Sequence, residues 1–408
     1  MKIIYITLFI QYFILLLCWI LIPKSTMMAS YIAEIGLFAL LTAINARKIK
    51  KVFYLSNEGR KTMICFLLLL LISLVYLCLS YYNLADYWNI NNLGYNSFFI
   101  PRHYFIILQY FISIGLGYSL YRSNILMRIK SRWVIMAIVA IFIMTSMDFA
   151  TNSKSYFTIM VLLISLLGLR YKLLLIALPF FGFFSMEQTT YLIAIAEVSF
   201  IMLFKRSIAN FLQRNGKIKL LGCFLVSILT FIFLSSTISE LVDSDSNSSW
   251  RLAVWKNEIA SLEKTQYTGV GFGTAYVSNS IPYETDNINM YLNAENGFSE
   301  GVFIVANHNS VLNMFYRMGF IGGVLFVLLN LFLLYWCISN NRKTSGIVNA
   351  YLWWAMANYV FNFTVILFNP GLEMLQFSTG YQLSLAILLA ILFATNHNQL
   401  TKIRFERI

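Results

Sequence analysis

The chain has 408 residues, of which 59% are hydrophobic, 17% aromatic and only 12% charged. A soluble domain carries about 25% charged residues, so this chain cannot cover itself with a charged surface, and lipid must solvate it through apolar helices of about 20 residues. A net charge of +13 would suit a nucleic-acid partner, but the placement of the basic residues excludes one.

In chain order the apolar runs predict about twelve membrane-spanning helices. They fall at roughly 3–22, 28–46, 62–82, 102–121, 133–149, 155–170, 172–186, 189–204, 218–238, 319–338, 346–368 and 380–395. The alternating strands of a membrane barrel are not what is written. The run after Met1-Lys2 reads as a retained span rather than a signal peptide, because it is long and no Ala-x-Ala site follows it. The seventh run is short and interrupted by Pro179. Cys18, Cys65, Cys78, Cys223 and Cys337 all lie in apolar runs without metal-ligand spacing, and read as small buried hydrophobes.

With the amino terminus in the cytoplasm, the outer segments hold Lys24, Arg102, Lys154, Arg251, Lys256, Lys264 and Arg317, and the other 23 of the 30 basic residues fall inside. That is the positive-inside bias of a membrane protein, not a nucleic-acid surface. The expected fold class is therefore an all-α polytopic membrane protein of about twelve transmembrane helices. It forms one integral membrane domain over 1–408, multi-pass in a bacterial inner membrane with both termini cytoplasmic. Residues 239–307 form one large extracytoplasmic loop between the ninth and tenth spans, where no ATP is available.

Polar residues with chemical potential concentrate in and around that loop. Residues 249–263 read as an amphipathic helix capped by Ser248 or Ser249, with Arg251, Trp255, Glu258 and Leu262 on one face. Two readings stay open: an interfacial helix with aromatic and basic anchors, or an arginine fork held over a phosphate-bearing ligand. Gly269-Val-Gly271-Phe-Gly273 reads as a tight turn in preference to a phosphate cradle, and it lacks the dinucleotide spacing. Residues 307–319 read as a short helix at the outer interface, with His308, Leu312 and Phe315 facing the bundle. A neutral imidazole there can act as general base on a hydroxyl. No second histidine or carboxylate has metal-ligand spacing to His308, so no metal site is expected.

Weaker candidates lie elsewhere. His103, beside Arg102 at the start of the fourth span, reads as an interface anchor, and His397 lies in the tail. Lys154 opens the sixth span, either snorkelling to the interface or serving as a second cation near His308. Glu34 and Glu197 fall inside spans, where carboxylates face the interior or a partner. For Glu197, a cavity lining and a structural hydrogen bond are both open.

Three pieces in fixed order resemble the bacterial O-antigen polymerase/O-antigen ligase superfamily of multi-span glycan transferases. They are Ser153-Lys154-Ser155 opening a span, Arg251 with Trp255 ahead of the glycine string, and His308-Asn309 followed by Met318-Gly319-Phe-Ile-Gly322. The resemblance implies a glycan on undecaprenyl diphosphate as donor, attacked at its anomeric carbon by an acceptor hydroxyl. His308 is then the catalytic base and Arg251 the catalytic cation, with Lys154, Trp255, Asn309, Gly271 and Glu258 as substrate-binding residues. Lys154 stands where the family commonly has arginine, keeping the charge but not the bidentate fork. The leaving diphosphate explains the missing carboxylate pair of hydrolases, and no cofactor is implied. Partners are the lipid-linked oligosaccharide and the bilayer, with room for a chain-length regulator protein. The expected function is a surface-polysaccharide polymerase. The alternatives are an O-antigen ligase acting on lipid A–core and, from another class, a flippase for lipid-linked sugars.

Overall fold

The computed structural model describes residues 57–82, 99–123, 189–212, 262–273, 309–341, 346–368 and 375–396. It also describes residues 132, 135–136, 218–219, 222, 251, 255–256, 258–260, 344 and 372. The described residues are helical or in turns, without strands. Among the described residues six helices are followed from end to end: α1 (Asn57–Tyr81), α2 (Phe99–Ser123), α3 (Thr189–Leu212), α4 (Ser310–Asn341), α5 (Gly346–Phe368) and α6 (Leu375–Asn396). They coincide with the third, fourth, eighth, tenth, eleventh and twelfth predicted spans. The remaining predicted spans fall essentially outside the described residues, as do His308, Lys154 and Glu34.

Among the described residues, two helices, Glu58–Tyr81 and Ser310–Asn341, are long and apolar enough to cross a membrane, and Tyr381–Thr395 is a shorter apolar helix. α1 shows how such a helix sorts its faces. Met63, Phe66, Leu69, Ser73 and Ser80 are buried, while Ile64, Leu68, Leu71 and Val75 are exposed. An exposed stripe of aliphatic chains is stable only where lipid replaces water. α5 and α6 are buried on nearly every side, from Tyr351 to Ile366 and from Tyr381 to Phe393, and form the centre. Cys65 and Cys337 are buried as expected, but Cys78 is exposed on the lipid-facing side of α1, which a thiol tolerates as well as an alanine.

Helix directions follow from the contacts. Ser80 near the end of α1 and Cys65 near its start meet the chain around Arg317 and Leu325 respectively, so α1 and α4 are antiparallel. Tyr110 lies beside Tyr381, and Tyr121 beside Phe393, so α2 and α6 run parallel. α4 and α5 are antiparallel through the Asn330–Tyr359 and Asn341–Trp353 pairs. Alternate crossing requires these directions for spans three and ten, and for four and twelve.

Two devices bind the centre. A Cβ on Gly117 of α2 would lie 2.7 Å from the Ala386 carbonyl oxygen of α6, so glycine lets the two backbones touch. Asn330 of α4 accepts from the hydroxyls of Tyr359 (α5) and Tyr381 (α6), the latter at 3.1 Å, and Tyr381 pairs with Tyr110 (α2) at 3.0 Å. Four helices thus meet at one buried polar node, whose groups would find no partner in lipid. Glu197 of α3 accepts from Thr364 of α5 at 2.6 Å, the structural hydrogen bond that was one of its two readings.

Candidate functional site

The site is built where the glycine string meets α4. Gly319 interrupts α4 with φ 66° and ψ −169°, a conformation essentially restricted to glycine. The break falls where the sequence predicts the join between a short interfacial helix and a span. In an unbroken helix Phe320 N–H would donate to the Tyr316 carbonyl. Here Phe320 N donates to Tyr267 O at 2.9 Å, while Tyr316 O accepts from Val270 N at 2.8 Å. Arg317 O accepts from Gly271 N at 3.0 Å. The loop segment has been inserted into the ladder of α4 and supplies the partners that the break removes.

Glycine is required at the contact. A Cβ on Gly269 would lie 2.3 Å from Gly319 N, and one on Gly319 would lie 2.5 Å from both Tyr267 O and Thr268 O. The turn leading in carries two non-glycine residues in the left-handed region, Gln266 and Tyr267. The string also ties down two other helices. Ser80 Oγ of α1 accepts from Phe272 N at 2.9 Å, the Tyr76 hydroxyl of α1 donates to Thr268 O, and His103 Nδ1 of α2 lies 2.8 Å from Phe272 O. The N–H groups of Val270, Gly271 and Phe272 are therefore spent on protein acceptors. The string is a docking segment joining three helices, and the amide of Gly271, expected among the substrate-binding groups, is engaged by Arg317 O.

His103 corrects a prediction. Only 1% exposed, it is no interface anchor but a buried contact of the loop. Its position at the start of a span suggested water on one side, but the returning loop meets it through Phe272 O.

Arg317 was not singled out by its sequence context, yet it is 1% exposed. Its Nη1 donates to Gly271 O at 3.1 Å and its Nε to Asn313 Oδ1 at 3.3 Å. Together with the Gly271 N–H bond to Arg317 O, residues 271 and 317 hold each other reciprocally. The guanidinium also lies 5.1 Å from the Tyr316 ring centre. The legible signal was Asn313 four residues before an arginine, a charge that must face a partner.

The loop helix behaves as its amphipathic pattern predicts. Residues 251, 255–256, 258–260 and 262–264 are helical. Glu258 and Leu262 are buried, Arg251 and Trp255 half-buried, and Lys256, Ile259, Glu263 and Lys264 exposed. The Nε of Arg251 is shielded from solvent. Glu258 is 0% exposed and, like Arg317, acts electrostatically on the Tyr316 phenol. The face carrying Arg251 is thus turned to the bundle.

At the start of α4, Asn309 is the N-cap: its Oδ1 accepts from Leu312 N at 2.9 Å. Ser310 Oγ accepts from Leu372 N at 3.1 Å, fastening the α5–α6 connection to the same helix end. The buried stripe here is Ser310, Asn313, Met314 and Arg317, whereas Leu312 and Phe315, expected to face inward, are only half-buried. The polar stripe turns inward because the loop and the connection offer it partners, and apolar Leu312 and Phe315 cost nothing against lipid. His308 immediately precedes this cap in sequence.

A cavity of about 680 Å³ lies beside the kink, walled by Ile72, Val75, Met318 and Ile321 and roofed by Gln266 and Tyr267. Among the described residues no group of three or more His, Cys, Asp or Glu side chains could hold a metal ion.

No curated protein matches the sequence. Residues 139–327, a stretch that takes in the whole loop, the kink and Arg317, match the O-antigen ligase family, whose members are glycosyltransferase-like enzymes of O-antigen and lipopolysaccharide biosynthesis. The loop docked on a broken membrane helix is therefore the candidate site, and it lies within the stretch that is similar to the O-antigen ligase family.

Proposed function

We propose that this protein is a surface-polysaccharide polymerase, joining glycan repeat units carried on undecaprenyl diphosphate at the outer face of the bacterial inner membrane. The observation that carries the reading is the docking itself. The glycine segment clamped into α4 ties the loop that carries Arg251 to the same helix whose start Asn309 caps, and this supports the reading.

In this reading the acceptor hydroxyl attacks the anomeric carbon of the donor. His308 takes the hydroxyl proton, a new glycosidic bond forms, and the bond from that carbon to the diphosphate oxygen breaks. Undecaprenyl diphosphate departs with both bonding electrons. Arg251, with Lys154 as a second cation, neutralises the leaving group, a task suited to a guanidinium fork. The aliphatic walls of the cavity at the kink suit a hydrocarbon chain of the donor. Both chain termini are assigned to the cytoplasm.

The family description favours a second reading, in which the same residues transfer the finished glycan to lipid A–core. The aromatic, asparagine-rich loop favours polymerase. Deleting the gene separates them on a glycan gel. Loss of a polymerase leaves core carrying a single repeat unit, whereas loss of a ligase leaves bare core and accumulated lipid-linked chains. His308→Ala and Arg251→Ala, present in the membrane at native level, should each reproduce the deletion pattern. A ladder of native length from both variants removes the mechanism.

A further inference from the structure

We infer that Arg317 is a positioning residue for this site: it pins the glycine segment to the kink of α4 and so fixes the loop helix bearing Arg251 against the helix end that follows His308. The inference rests on the transferase reading above for its consequence, but not for its geometry.

The argument begins with burial. A guanidinium removed from water is costly unless each donor is occupied and a compensating charge is near. At 1% exposure, Arg317 engages two fixed acceptors from different elements through Nε and Nη1. Asn313 Oδ1, one turn earlier on the same helix, orients Nε, and Gly271 O, on the loop, receives Nη1. The arginine thus touches the loop through hydrogen bonds.

Its location makes the pin effective. Gly271 lies between Val270 and Phe272, whose amides are fixed to α4 and α1, and Phe272 O meets His103 of α2. Release of Gly271 loosens the middle of a segment on which three helices converge. The loop helix ends at Lys264, a few residues upstream, so its placement follows that of the segment. A lysine reaches one acceptor as a point charge but cannot hold two in the fixed planes of a guanidinium.

The test uses the full chain in membranes and in detergent. Arg251, Lys256 and Lys264 are the tryptic sites between residues 239 and 307, and cleavage after Lys264 requires local opening of the docked loop. Arg317→Met fills the buried space without donors. It should reach the membrane at native level, be cut after Lys264 about tenfold faster, and lose most glycan product in the deletion strain. Arg317→Lys should be intermediate in both readouts. Native cleavage by Arg317→Met overturns the proposal, and so does fast cleavage with an undiminished ladder. If Arg317→Met fails to accumulate, Arg317→Lys and Asn313→Ala carry the same comparison, and native behaviour of both overturns the proposal. Should gene deletion leave surface glycan unchanged, the transferase reading fails, and the cleavage rates alone decide whether Arg317 pins the loop.

Discussion

Gly319→Ala perturbs one atom at the point where loop and helix share a hydrogen-bond ladder. The native φ of 66° with ψ of −169° costs a non-glycine residue about 1–3 kcal/mol. The added Cβ would sit 2.5 Å from both Tyr267 O and Thr268 O, neither of which is the flexible end of a side chain. Either the loop retreats or α4 straightens. Both outcomes sever the bonds of Val270 N, Gly271 N and Phe320 N, each worth about 1 kcal/mol net. A straightened helix recovers part of this through its own bonds. The variant therefore loses about 1–3 kcal/mol to backbone strain, with the clash in addition, if the loop stays docked, or about 3 kcal/mol of hydrogen bonds, less what the straightened helix regains, if the loop retreats. The assay is a thermal-stability measurement on detergent-solubilised protein, paired with glycan chain length in the deletion strain. Gly222→Ala is the control, since nothing lies within 4 Å of its Cβ. The expected result is a lower melting temperature and a collapsed ladder for Gly319→Ala, with native behaviour for Gly222→Ala. A Gly319→Ala protein as stable and as productive as the native one would refute the claim that the helix break exists to receive the loop.

Two further outcomes follow from the geometry. Asn309→Ala removes an N-cap and should cost about 1 kcal/mol of stability, while Asn309→Ser, a comparable cap, should restore it; glycan output recovering with Ser marks Asn309 as a cap, and output that stays low marks a substrate contact. Asn330→Leu leaves the Tyr359 and Tyr381 hydroxyls without their shared acceptor and should lower thermal stability by about 1–3 kcal/mol without changing trypsin cleavage after Lys264, because the node lies below the loop.

The family match, read with the fold, explains why so much of the chemistry clusters in so little of the chain. Outside the loop, several of the described polar side chains hold helices together: Asn330 with its tyrosines, Glu197 with Thr364, Asn341 with Asn349 and Trp353. Within the loop and its landing place, the described polar groups serve docking.

Helix positions were legible because lipid imposes a simple rule. A run must be apolar and about 20 residues long, and basic residues must favour one side, so 346–368 was read to the residue. The buried face of the loop helix was legible too, because Arg251, Trp255, Glu258 and Leu262 repeat at helical spacing. The break at Gly319 was foreshadowed by a polar helix abutting an apolar one. What remained hidden were the pairings over long sequence separation. Glycine at 269 and 271 announces freedom, but not that the freedom is used to enter the ladder of a helix some fifty residues later. His103, more than 160 residues from Phe272, carries no local sign of its partner, and Arg317 shows only that it must have one. Sequence by itself determined where the six described helices lie and which face of the loop helix turns inward, because solvation and helical period act locally. Tertiary structure alone decided where the loop lands and which charge holds it, because those contacts join groups that no periodicity relates.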